Sequence, residues 1–168
     1  KFNVKENSVK RPMCFYSKNK LKTEKYLKKK LKNKLLSLRV GNILGKKLIK
    51  NSRNNHKLFF DNYLILRKNN KKVVVDNDFK DFLTIIQFSR IVAILIKRNI
   101  NGIFNVSISE KIYLSDILKW IDEKFYKKIE FTNYRKDSFT LSNKKLLKKI
   151  EKKPLKSELV KFCKNIFN

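Results

Sequence analysis

The chain has 168 residues, with 43 Lys and Arg against 14 Asp and Glu and a formal net charge of +29. Its 42% apolar and 12% aromatic content is too high for a charged disordered tail, so the segments between lysines can bury surface and fold. The longest apolar run, Ile91 to Ile96, is too short to span a bilayer, and no secretory leader opens the chain, so the expectation is no membrane span and a cytoplasmic protein. Cys14, Cys163 and the lone His56 make neither a disulfide framework nor a familiar zinc site.

Taken in chain order, Lys1 to Pro12 reads as loop. From about Phe15 to Lys32, Leu21, Leu27 and Leu31 recur at helical steps among lysines. Leu35 to Val40 then has the length and composition of a buried strand ending at Gly41. Asn54 to Asn70 reads as a helix, Lys72 to Asp76 as a strand through Val73, Val74 and Val75, and Phe82 to Ile86 as another strand. Phe88 to Arg98 reads as a buried helix, Ile103 to Val106 as a strand after Asn101-Gly102, and Ser115 or Asp116 as the cap of a helix holding Ile117, Leu118, Ile121 and Phe125. Lys128 to Phe131 and Phe139 to Leu141 look extended; Asn143 to Ile150 and Ser157 to Phe167 look helical. Helices alternating with apolar strands make this an α/β chain, with no internal repeat or low-complexity boundary.

The charge raises nucleic acid as a partner, since clustered Lys and Arg displace phosphate counterions whatever the sequence. Lys outnumbers Arg 36 to 7, however, whereas base-edge readers favour the forked guanidinium. The lysines spread along the whole chain, and Ala93 is the only alanine, a pattern of A/T-rich codon usage. Nucleic acid is therefore the disfavoured partner, with the lysines of residues 18–34 its best footprint.

Chemistry concentrates at Tyr16 and Lys20. Four apart on a helix, they share a face, so an ammonium can favour the phenolate and let the tyrosine exchange a proton with a carbonyl or alcohol oxygen. In so lysine-rich a chain, chance supplies about one such pair, and Tyr26 with Lys30 is a second. An exposed helix with a tyrosine at its edge remains the plainer reading of the spacing alone.

The order Pro12-x-x-x-Tyr16-Ser17-x-x-Lys20-x-x-x-Glu24, then Leu38-Arg39-Val40-Gly41-Asn42-Ile43-Leu44-Gly45, resembles the extended short-chain dehydrogenase/reductase family of nucleotide-sugar epimerases, dehydratases and reductases. Further matches are Lys80-Asp81-Phe82-Leu83-Thr84-Ile85, Gly102-Ile103-Phe104-Asn105-Val106 and Asp137 to Leu146. The resemblance implies Tyr16 as general acid/base and Lys20 as the residue that holds the nicotinamide ribose. It implies Asn42 and Lys80 on the substrate side, Lys80 standing where an arginine is common. Gln87 replaces a commonly acidic position, Arg39 and Asp81 read as structural ion-pair or capping residues, Cys14 as a small apolar filler, and His56 has no role.

The family's Gly-x-x-Gly-x-x-Gly turn for a dinucleotide is absent from this chain, whose only glycines are Gly41, Gly45 and Gly102. The expectation is the C-terminal half of a Rossmann-like doubly wound sheet with a small α/β substrate-binding lobe. Residues 1–55 would end the Rossmann-like domain, and 56–168 would form mostly the lobe, with 72–106 returning partly to the main sheet. The resemblance implies NAD or NADP as cofactor, a nucleotide-sugar as substrate, and a possible homodimer through the Tyr16 helix. A small basic nucleic-acid binder and a non-catalytic relative of the same fold are the alternatives.

Overall fold

A computed structural model describes residues 3–45, 69, 73–132 and 138–165. Its helices are α1 (Phe15–Leu31), α2 (Ile85–Lys97), α3 (Leu114–Ile121), α4 (Glu123–Tyr126), α5 (Lys144–Leu147) and α6 (Lys156–Lys164). Its strands are β1 (Leu36–Val40), β2 (Asn42–Leu44), β3 (Val73–Asp76), β4 (Phe79–Lys80), β5 (Phe82–Thr84), β6 (Gly102–Val106), β7 (Ile112–Tyr113) and β8 (Ile129–Thr132). The helix read over Asn54 to Asn70, with His56, lies outside the described residues. No described helix is long and apolar enough to cross a membrane.

Strand pairing is mostly parallel. β1 pairs with β6, Leu36 opposite Gly102 and Val40 opposite Val106; β2 pairs with β5 and β3 with β8, all parallel, while β4 and β7 run antiparallel. Alternation along β1 and β6 separates two faces. Leu36, Leu38, Val40, Phe104 and Val106 turn into the core, where they meet Ile91 and Leu95 of α2, Leu146 of α5 and Leu159 and Cys163 of α6. Arg39 and Ile103 turn the other way, toward α1. A smaller cluster joins Val75 and Leu118 with Ile129 and Phe131 beneath β3 and β8.

Several boundaries differ from the sequence reading for local reasons. The strand expected over Phe82 to Ile86 stops at Thr84, because the Thr84 hydroxyl accepts from the Gln87 N–H and the Gln87 side chain accepts from the Thr84 N–H, each at 3.0 Å. This reciprocal box starts α2 at Ile85, three residues earlier than its apolar run suggests. Neither Ser115 nor Asp116 precedes α3. Tyr113 does, and Asp116, inside the first turn, accepts from the Tyr113 N–H at 3.2 Å. The helix expected to run on through Phe125 breaks at the extended Asp122, so Phe125 falls in α4.

Phe139 to Leu141 makes no strand; Leu141 only bridges Val4, which also gives the opening loop a tertiary anchor. α5 covers four residues of the span Asn143 to Ile150, and α6 ends at Lys164. β1 is half-exposed along its length and not the buried strand its composition suggests, since it pairs on one edge only among the described residues.

Candidate active site

α1 begins after Cys14, whose backbone is extended. The Cys14 N–H donates to Ser17 Oγ at 3.2 Å, and the Ser17 hydroxyl donates to the Cys14 carbonyl at 2.9 Å. Cys14 is exposed and is not an apolar filler; a hydrogen bond with Ser17 holds its thiol below the ordinary value. At the other end, Lys28, Lys29 and Lys30 occupy the last turn, where cations complement the helix dipole.

One helical turn brings Lys20 Nζ over the Tyr16 ring, 5.4 Å from its centroid. Lys30 sits over Tyr26 at 5.9 Å, so pair geometry alone does not separate the two candidates. Position does. α1 feeds through a 3₁₀ turn, Lys32–Lys34, into the amino end of β1, so Tyr16 lies on the side of the strand carboxyl ends and Tyr26 toward the opposite end. Ligands of open α/β sheets sit beyond the carboxyl ends. Tyr16 is 69% exposed and Tyr26 61%.

Asn42 and Lys80 stand on other elements, β2 and β4. The Asn42 N–H donates to the Asp81 carbonyl at 2.8 Å and Nδ2 reaches the same oxygen at 3.2 Å, which commits that amide to pairing β2 with β5. Lys80 is half-buried on β4 opposite Ile112. A cavity of about 760 Å³ opens between α1 and the sheet, and none of Tyr16, Lys20, Asn42 or Lys80 lines it.

The residues read as structural are structural. Arg39 donates from Nε and Nη2 to both Glu24 carboxylate oxygens, at 2.7 and 2.6 Å, and from Nη1 to the Glu6 carbonyl at 2.7 Å. This fork ties α1 to β1, and no α1 residue is fully buried. The Arg39 hydrogen bond holds the Glu24 carboxyl below its usual range, so the pair's contribution is present at neutral pH and is lost as pH falls through that lowered value. Glu24→Gln is expected to speed α1 amide exchange at least tenfold relative to α2, and acidification of the unmodified protein to do the same. Unchanged exchange would show that α1 is held by something else.

Gln87, besides its cap, donates from Nε2 to the Leu155 carbonyl at 2.9 Å and to Glu158 at 2.8 Å, so it joins α2 to α6 and is not available to a phosphate. Arg90 and Gln87 together hold Glu158 down to about 2. Burial pushes the Cys163 thiol up to about 12, which leaves it inert.

Asp81 is fully buried. Its carboxylate accepts from the Ser109 N–H at 3.0 Å and the Leu141 N–H at 2.6 Å, while its carbonyl lies 2.8 Å from where a side chain on Gly41 would begin. Gly41 is thus a glycine of close strand approach and not part of a phosphate cradle. Gly102, at φ +127, opens β6 beside Lys145. The residues present could meet the nicotinamide-ribose end of a dinucleotide through Tyr16 and Lys20, and no glycine among them cradles its pyrophosphate.

No protein-family model matches the sequence, and no curated protein matches it significantly. Solved structures do. UDP-N-acetylglucosamine 4-epimerase from Methanobrevibacter ruminantium, in complex with UDP-N-acetylmuramic acid, superposes with a TM-score of 0.77 at 19% identity, over 97% of this chain and 55% of that one. dTDP-glucose 4,6-dehydratase from Bacillus anthracis, in complex with NAD, gives 0.77 at 11% identity, over 99% and 55%.

The fold is that of the extended short-chain dehydrogenase/reductases. dTDP-4-dehydrorhamnose reductase from Yersinia enterocolitica adds a third member, with a TM-score of 0.75 at 19% identity over 99% and 62%. The chain spans about half the length of the structures it matches, a partial Rossmann-like α/β arrangement. Epimerase, dehydratase and reductase share this arrangement, so the fold does not choose among them.

Sequence reasoning passed over Ser17, which organises the start of α1, and Glu6, whose carboxylate accepts from the Asn105 N–H at 2.9 Å while its carbonyl receives Arg39. Serine three residues after a helix start is a readable capping signal; the reach of Glu6 across 99 residues is not.

Proposed function

We propose that this chain supplies the acid/base part of an NAD(P)-dependent enzyme that acts on a nucleotide-activated sugar. The observation that carries the reading is the stacking of Lys20 on Tyr16 at the end of α1 nearest the strand carboxyl ends. In this reading Tyr16 Oη passes a proton to or from a sugar oxygen, and the Lys20 ammonium stabilises the phenolate and hydrogen-bonds the ribose. NAD(P), when bound, supplies hydride exchange with the sugar carbon. Residues 1–55 close the cofactor domain, with Asn42 on its substrate side, and 56–168 provide mostly the sugar lobe, with 72–106 returning partly to the main sheet and Lys80 offering charge to a phosphate. Solvent exposure of Tyr16 is consistent with a surface that the cofactor-binding part covers.

The reading is tested by the coding sequence upstream of Lys1, where a strand followed by a Gly-x-x-Gly-x-x-Gly turn and a helix is expected. An upstream sequence without that unit overturns it. The resemblance further suggests pairing of two copies through α1, although its seven lysines against one glutamate oppose a tight self-interface.

A second reading, a basic binder of structured RNA, draws on the outward lysines Lys18, Lys22 and Lys29. It requires micromolar or tighter binding that weakens steeply with salt.

A further inference from the structure

The cavity between α1 and the sheet has a composition that the acid/base reading does not use. Six cations face it, Lys10, Lys25, Lys28, Lys32, Arg39 and Lys145, against two carboxylates, Glu6 and Glu24. Both carboxylates are already engaged. Glu24 receives the Arg39 fork, and Glu6 receives the Asn105 N–H. The five lysines make no ion pair within 4 Å among the described residues, and Asn7, Asn33 and Asn101 add neutral donors to the wall.

One of those lysines is held in advance. Lys145 Nζ donates to the Ile103 carbonyl at 2.8 Å and lies 4.7 Å from the Phe104 ring centroid. A fixed cation loses less entropy on binding than a free one, and low-dielectric walls of one sign concentrate field on the space between them. The cavity runs along the α1-facing side of β1, from Leu35 to Arg39, and neither Tyr16 nor Lys20 lines it.

We infer that this cavity is a binding site for a compact polyphosphate, inorganic or carried by a nucleoside, gripped by Lys28, Lys32 and Lys145. A formal excess of four positive charges matches a chain of three phosphates better than a single orthophosphate. The volume of about 760 Å³ admits such an anion. The site does not depend on the function proposed for Tyr16, and it stands or falls separately.

Calorimetric titration of the 168-residue protein at low salt with inorganic tripolyphosphate is expected to give saturable one-to-one binding, at least tenfold tighter than orthophosphate. Lys28→Gln with Lys145→Gln is expected to weaken it at least tenfold, whereas the outward set Lys18→Gln, Lys22→Gln and Lys29→Gln changes it less than twofold, helicity being unchanged in both. ATP equal to tripolyphosphate means that the phosphate chain alone is recognised; ATP at least tenfold tighter means that the nucleoside also lodges. Either outcome supports the site. Absence of saturation, or equal losses from the inward and outward sets, overturns it and leaves only diffuse surface charge.

Discussion

Tyr16→Phe is expected to lower kcat of the active enzyme by about a thousandfold while leaving KM within about twofold, because in the proposed function it removes one oxygen that acts on the proton and little that binds substrate. At 1.36 kcal/mol per decade this is about 4 kcal/mol of transition-state stabilisation, within what a positioned proton donor supplies. Lys20→Met should reduce kcat and also weaken cofactor binding, since in the proposed function the ammonium serves both the phenolate and the ribose. The internal control is Tyr26→Phe: Tyr26 has a lysine of its own, Lys30, stacked on it but lies toward the other end of the helix, so its loss should change turnover less than twofold. Full activity of Tyr16→Phe, or equal damage from Tyr26→Phe, would remove Tyr16 from the mechanism.

The second large effect concerns stability. Burial raises the Asp81 carboxyl to about 6, against the pull of the Leu141 and Ser109 N–H groups that it accepts. Its unfolded value is near 3.8, so the folded chain holds this proton more tightly than the unfolded one. The stabilisation is therefore complete below the unfolded value and is lost as pH rises through about 6. A rise of this size corresponds to about 3 kcal/mol, a large share of the roughly 5–15 kcal/mol typical of a domain.

Glu24 and Glu158 titrate with the opposite sign, so the measurement is the difference in unfolding free energy between the unmodified protein and Asp81→Asn across pH 3 to 8. That difference should vary with pH, because the carboxyl titrates and the amide does not. Asp81→Ala orphans the buried Leu141 N–H and the half-buried Ser109 N–H and should cost about 3 kcal/mol. A flat difference curve, or an alanine variant as stable as the parent, would show that the carboxylate does not hold β5, the loop after β6 and Leu141 together.

How much of this could be read in advance depends on the range of the interactions. The α1 helix follows from Leu21, Leu27 and Leu31 recurring at helical steps among good helix formers. Strands β1, β3 and β6 follow from short apolar or β-branched runs punctuated by Gly41, Asp76 and Asn101-Gly102. Tyr16 and Lys20 share a face because a helix turns every 3.6 residues, so their stacking was legible without tertiary information. The boundary at Thr84 was legible in principle, as a Thr-x-x-Gln cap, but the apolar run through Ile85 and Ile86 masked it.

The amino-acid sequence by itself determined the alternation of helix and strand, the pairing of Tyr16 with Lys20, and the lack of a glycine-rich phosphate turn, because each rests on residues within a few positions of one another. Only the tertiary structure decided which strand meets which, that Asp81 gathers Ser109 and Leu141, that Glu24 fastens α1 through Arg39, and that the lysines of α1 and α5 face a common cavity. Those contacts join residues 15 to more than 100 positions apart, where period and composition carry no information and packing, charge and hydrogen bonding in the folded chain choose the partner.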